Sequence, residues 1–171
     1  MTHLWRRCTK IHPDGQVQLI NPDFVMPTAH YQRVRSFMEK AGQETPSEVV
    51  VPDEHTRLLR ARLILEEAIE TVNALGIAVQ VPEGELEIDT CIFKPERAID
   101  LEGVADGCAD ISVVTVGTLI AFGIDDEQLL REVDEANLRK FGPGSYVRED
   151  GKWMKPTDWT PPDIAGVLGT Q

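Results

Sequence analysis

Apolar residues recur every three or four positions in four stretches of this chain and alternate with polar ones in others. The first helical stretch opens at Pro27-Thr28, with Thr28 as its cap, and Gly42 ends it. Its apolar stripe is Tyr31, Val34, Phe37, Met38 and Ala41. After a linker at 43–52, limited by Pro46 and Pro52, a second helix runs from about Asp53 to Leu75 and stops at Gly76. Leu58, Leu59, Leu63, Leu65, Ile69 and Val72 give it an apolar surface too broad for a peripheral helix, which predicts a place at the centre of a bundle. The period then changes. Ile77, Val79 and Val81 alternate, Pro82-Glu83-Gly84 turns, and Leu86 and Ile88 alternate on return, predicting a β-hairpin over about 77–93. A third helix spans about Leu101 to Phe122, and a fourth, capped by Asp125 or Asp126, runs to Phe141 before Gly142-Pro143-Gly144. The fourth helix turns Leu129, Leu130, Val133 and Leu138 to the core.

The ends are less regular. Residues 1–26 form an N-terminal arm without helical period, in which Lys10 to Ile20 is either a small hairpin around Pro13-Asp14-Gly15 or irregular. Residues 143–171 form a tail that begins with a hairpin at Asp150-Gly151 and ends rich in proline. The fold class expected is all-α: a four-helix bundle with a β-hairpin inserted between helices 2 and 3 and an irregular C-terminal tail. One domain covers 1–171, its helical core at 27–142, since 171 residues suit one core better than two.

Composition narrows the partners. The net charge of −12 speaks against a nucleic-acid backbone, which calls for a basic face. Cys8, Cys91 and Cys108 are odd in number and lack metal-like spacing, as expected of reduced cytosolic thiols. No apolar stretch of a signal peptide follows Met1-Thr2-His3-Leu4-Trp5, and no run approaches a membrane span. The expectation is a cytoplasmic protein with no membrane or nucleic-acid partner.

The candidate chemistry lies in two acidic clusters. Glu67 and Glu70 are three apart and Glu66 and Glu70 four apart, so they share a helical face. Asp106 and Asp110 repeat the spacing on the third helix. Like charges so placed repel, and a hard divalent cation such as Mg2+ or Mn2+ would compensate them. Solvated surface charge is the plainest explanation, but Ile64-Leu65 and Ala68-Ile69 leave Glu66-Glu67 little purely solvated face. A di-iron bundle would require Glu-x-x-His pairs, and His3, His12, His30 and His55 are scattered. Gly103, Gly107 and Gly117 each reduce helix propensity by roughly 1 kcal/mol, which the close approach of a helix or ligand would explain.

Glu66-Glu67-Ala68-Ile69-Glu70 with the Asp110 cluster resembles the EExxE…ExxD signature of the MazG-like all-α nucleotide pyrophosphohydrolases. Val34-Arg35-Ser36-Phe37, Arg57-Leu58-Leu59-Arg60, Val116-Gly117-Thr118, Glu135 to Phe141, and Asp150-Gly151-Lys152 with Lys155-Pro156 extend the resemblance over about residues 30–164. Within the superfamily the chain looks most like the Cof-like branch common in phages. Two departures stand out. Gly107 occupies the place three before Asp110 where the family has Glu, so Asp106 must stand in or a ligand is missing. The hairpin also lengthens the spacing between the clusters.

The resemblance implies hydrolysis of a nucleoside triphosphate between the α and β phosphates, yielding monophosphate and pyrophosphate. It implies Glu67, Glu70, Asp110 and Asp106 (rather than Glu102) as ligands of two or more Mg2+ or Mn2+ ions, with Glu66 a further ligand or, like Glu67, a catalytic group activating water. A triphosphate with about four negative charges can enter an acidic site only through metal bridges. Lys140 would contact phosphate and Asn137 phosphate or sugar, with Lys155 a weaker phosphate contact; compensation of the helix dipole is the plainer role for Lys140. Trp153 and Trp159 pin the tail in preference to stacking on a base, and Tyr31 and Phe37 read as core. Similar proteins act on dUTP, dCTP or, in the phage group closest in architecture, dGTP and GTP. Two alternatives remain: an inactive helical binding module, and a relative of the same superfamily that cleaves phosphoribosyl-ATP. Family members form homodimers or homotetramers, which the apolar surface of these helices also favours.

Overall fold

The computed structural model describes residues 9–11, 17–19, 25–82, 87–149 and 151–169. Its elements, in chain order, are β1 (Thr9–Ile11), β2 (Val17–Leu19), α1 (Ala29–Lys40), α2 (Glu54–Ala74), β3 (Ile77–Gln80), β4 (Ile92–Pro95), α3 (Leu101–Ala121), α4 (Asp126–Leu138), β5 (Tyr146–Val147), β6 (Trp153–Met154) and α5 (Ile164–Leu168). Helices dominate, and the strands form three separate antiparallel pairs, β1–β2, β3–β4 and β5–β6. The fold is broadly all-α.

Side-chain caps set the starts of three long helices. Thr28 accepts from the Tyr31 amide at 3.1 Å, Asp53 from Thr56 at 2.8 Å and Asp100 from Gly103 at 3.1 Å. The fourth start differs from expectation. Asp125 makes no side-chain cap bond, and Asp126 lies inside the helix, fully buried, accepting the Thr28 amide at 2.9 Å and the Thr28 hydroxyl. A carboxylate paired twice in this way ties the start of α4 to the start of α1.

α3 is the spine: α1 and α2 both pack along it, while α4 packs on α5. The core gathers Tyr31, Val34 and Met38 of α1 against Val116, Ile120 and Ala121 of α3. At 21 residues α3 is long and apolar enough, by length and composition, to cross a membrane, which corrects the sequence expectation that no run is. Its buried positions are Gly107, Val114, Val116, Gly117, Ile120 and Ala121.

Several packing expectations are overturned. Phe37, expected in the core, is 62% exposed. On α4, Leu130 and Leu138 are exposed and Ala136 is the buried apolar residue; the main helical partner of α4 among the described residues is the five-residue α5. α2 is lateral instead of central. Leu58, Leu65 and Ile69 are each at least half exposed and only Arg60 and Thr71 are buried, because the helix has one long partner and its broad apolar surface has two sides.

The inserted hairpin exists with a different return. Ile77 pairs with Pro95 and Gln80 with Ile92, so the second strand is Ile92–Pro95, beyond Leu86 and Ile88. The Glu87 carbonyl accepts from the Thr90 amide and hydroxyl, curling Ile88–Thr90 into a 3-10 turn instead of strand. The expected Pro82-Glu83-Gly84 turn lies partly outside the described residues, as do His3, His12 and the tip of the N-terminal hairpin. β1 and β2 do pair in register from Thr9↔Leu19 to Ile11↔Val17. α4 ends at Leu138, and Arg139–Phe141 is a 3-10 turn. The tail holds α5, too short to show a period in the sequence.

Candidate active site: an acidic groove between two helices

α2 and α3 run antiparallel, and their close contacts fix the register. Arg60 faces Gly117, Thr71 faces Gly107 and Ala74 faces Gly103, so the two residue numbers sum to 177 or 178 at each level. Glu67 and Asp110 fall on the same ladder. The glycines are therefore explained by helix approach. A Cβ on Gly107 would collide with the Thr71 hydroxyl and lie 3.1 Å from the Thr71 Cα.

That contact accounts for the missing Glu at position 107. The direction of its side chain runs into the α2 backbone, not into the groove beside it. Asp106, one residue earlier, is exposed and lines the groove with Asp110 and Glu70. The groove has a volume of about 450 Å3 and continues past Asn73 to Arg97.

The electrostatics set four carboxylates against a fifth. Glu67 holds its proton above the ordinary carboxylate range, first because it is partly buried, then because Asp110, Glu70, Glu66 and Asp106 repel its charge. All the acids picked out in the sequence are thus neighbours of Glu67. Among the described residues no three His, Cys, Asp or Glu side chains converge closely enough to clasp an ion as they stand. The donor set still fits the ion expected: every donor is a hard carboxylate oxygen, the kind that suits Mg2+ or Mn2+. The repulsion at Glu67 is what a divalent cation would relieve.

The other predicted site residues form a separate cluster. Lys140 donates to Asn137 Oδ1 at 2.7 Å. Lys155 lies 4.2 Å and Lys140 5.8 Å from the centre of the Trp159 ring. Trp159 donates to the Ala136 carbonyl at 2.7 Å, and Trp153 to the Lys140 carbonyl at 3.0 Å while packing on Phe141. Both tryptophans pin the tail to the end of α4. None of Asn137, Lys140 and Lys155 lines the acidic groove.

Two residues escaped the sequence reading. Arg60 is buried, donating to Gln43 Oε1 at 2.6 Å and approaching Met38 Sδ, with its Nε unpaired, and burial lowers its affinity for its proton. It ties the linker after α1 to the α2–α3 pair. Its sequence signals were its place in the Arg57-Leu58-Leu59-Arg60 stretch of the family resemblance and a polar position two turns before Glu67 on the same face, and neither marked it as buried. Arg97 sits in the aperiodic connector after the hairpin, where no pattern marks it.

A family model, phosphoribosyl-ATP pyrophosphohydrolase, matches residues 31–137, from the first turn of α1 to the last of α4. The match takes in all five acids and Asn137, and excludes Lys140, Lys155 and the tail. No curated protein matches the chain. The chain belongs to the phosphoribosyl-ATP pyrophosphohydrolase family, within the MazG-like all-α superfamily, and so to hydrolases that act on the phosphoric anhydride of a nucleotide-like substrate.

Proposed function

We infer, from membership in that family, that the chain hydrolyses a nucleotide bearing a triphosphate between its α and β phosphates, releasing pyrophosphate. The observation that carries this reading is the repulsion of Glu67 by four carboxylates, three of which, Glu70, Asp106 and Asp110, line one groove between two helices. Glu67, Glu70, Asp106 and Asp110 would hold Mg2+ or Mn2+, with Glu66 beside them as a further ligand or as the group that orients water. When bound, the ions supply the positive charge that lets an anionic chain enter an acidic groove. Glu66 or Glu67 takes the proton of the attacking water.

Two substrate classes remain in the proposal. A free nucleoside triphosphate, dGTP or GTP before dUTP or dCTP, follows from the likeness to the phage-type Cof-like branch, and would make the protein a regulator of a cytoplasmic nucleotide pool. Phosphoribosyl-ATP is favoured instead by the matched family. Both share one anhydride and one leaving group. Asn137, Lys140 and Lys155 enter as contacts to phosphate or sugar, and association of two or four copies is how they would meet a groove they do not line. Support for association is the uncovered apolar side of α2, with Leu58, Leu65 and Ile69.

The test is a hydrolysis panel of every NTP and dNTP together with phosphoribosyl-ATP, each with Mg2+ or Mn2+, products separated by ion exchange. Pyrophosphate from one substrate, and none from Glu67→Ala, is the expected result. Release of orthophosphate would contradict cleavage between α and β. No turnover with any substrate would favour a helical binding module.

A further inference from the structure

The acidic groove has a cationic end. It runs from Asp110 and Asp106 on α3 and Glu70 on α2, past Asn73 and Gly103, to Arg97, the one basic residue in its lining. Arg97 belongs to neither helix. It lies in the connector that brings the chain from the inserted hairpin back to α3, so the insertion determines its position.

The backbone there is fixed from below. Gly76, at φ +77, accepts from the Glu96 amide at 2.9 Å and the Arg97 amide at 3.2 Å, and Ala74 accepts from Asp100 at 2.9 Å. A Cβ on Gly76 would stand 2.5 Å from the Arg97 carbonyl oxygen, so connector and helix end touch at backbone distance. Three orphan carbonyl bonds at the end of α2 thereby anchor the connector. Arg97 is exposed, its guanidinium has no hydrogen bond or ion pair among the described residues, and it shares the groove's lining with four acidic residues.

The start of α3 does not offer a competing anion site at this end. Asp100 already occupies it, accepting from the Gly103 amide at 3.1 Å, so that helix-end amide is not open to an anion. A guanidinium with five free donors matches phosphate oxygens in a way that an ammonium does not.

We propose that Arg97 binds the terminal phosphates of the substrate, and then the departing pyrophosphate, at the end of the groove away from Asp110. This rests on the function proposed above and deepens it: the inserted hairpin provides the cation that selects a polyphosphate chain over a monophosphate. Arg97 touches no atom of the bond that breaks between the α phosphorus and its bridging oxygen, and so acts on affinity.

Calorimetric titration of the full chain with inorganic pyrophosphate in Mg2+ tests this without turnover. The expected result is binding by the wild type, weakened about ten- to hundred-fold in Arg97→Gln, as for loss of a charge-assisted hydrogen bond, and partly restored in Arg97→Lys. Inorganic phosphate should bind weakly to all three. In steady-state assays Arg97→Gln should raise KM by a similar factor with kcat changed less, at unaltered Tm. Equal pyrophosphate affinity in wild type and Arg97→Gln, or no pyrophosphate binding by the wild type, overturns the assignment. Pyrophosphate binding that depends on Arg97 in a protein that hydrolyses nothing would retain the assignment and defeat the proposed reaction.

Discussion

The two regions where the sequence gathers ionisable residues are built in opposite ways. Between α2 and α3 the chain packs like charges together. Glu70, Asp106 and Asp110 line one groove, and Glu67 resists ionisation through its partial burial and the charges of those three and Glu66. At the end of α4 it packs opposite tendencies: Lys140 with Asn137, and two ammonium groups beside one indole. The second cluster is satisfied as it stands, and its members hold the tail. The first is unfavourable without a cation. Side chains left in mutual repulsion on a rigid pair of helices call for a ligand, whereas side chains that satisfy one another are equally consistent with structure alone.

The largest expected effect concerns the groove. Asp110→Asn should reduce Mn2+ affinity at least about ten-fold, the low end of what loss of even an outer partner does, and turnover by about 10²–10⁴. The metal-free protein should be no less stable, since a repelling charge is gone. Isothermal titration and thermal melts on the same variant check both halves. A large loss of metal-free stability would mean the carboxylates were already compensated within the protein.

Next comes the contact that sets the groove's width. Gly107→Ala forces a methyl against Thr71, and overpacking of this kind costs about 1–3 kcal/mol, set against about 1 kcal/mol gained in helix propensity. Stability should fall by denaturant titration, and Thr71→Ala should recover part of it in the double variant. Additive effects would show that the helices part freely at this level.

The cationic cluster should respond more weakly. An exposed cation over an aromatic face is worth about 0.5–1 kcal/mol, so Lys155→Ala should lower Tm slightly. A several-fold rise in KM with unchanged Tm would instead move Lys155 from tail-pinning to substrate contact, and bring the two regions into one site.

The smallest effect at neutral pH lies at the joint between the regions. Tyr31, buried at the start of α1, has its phenol pushed up to about 12 from 10.0, first by burial and then by the charge of Asp125. A folded-state value raised in this way stabilises the fold fully below pH 10 and is lost as pH rises through about 12. Tyr31→Phe should match the wild type at pH 7, apart from its lost Asp125 bond, and lack the added alkaline sensitivity. Identical alkaline melts would show that the phenol ionises freely in the fold.

Much of the groove was legible in the sequence because it is made of local periodicity. Spacings of three and four place Glu66, Glu67 and Glu70 on one helix face and Asp106 and Asp110 on another, and Thr28, Asp53, Gly42 and Gly76 mark helix ends by their own chemistry. Gly107 shows the limit. Its identity raised the question of a missing ligand, and only its contact with Thr71 answers it. The same limit misplaced Phe37, Leu130 and Leu138, whose apolar character says that they can be buried but not whether a partner is there to bury them.

The sequence by itself determined the four long helices, the acidic faces and the presence of a hairpin between α2 and α3, because each depends on residues within a few positions of one another. The tertiary structure alone decided that α3 is the spine and α2 lateral, that the hairpin returns at Ile92, that Asn137, Lys140 and Lys155 stand away from the acids, and that Arg97 closes the groove. Those features depend on which surfaces meet across tens of residues. Helix period and side-chain chemistry constrain such pairings without choosing among them.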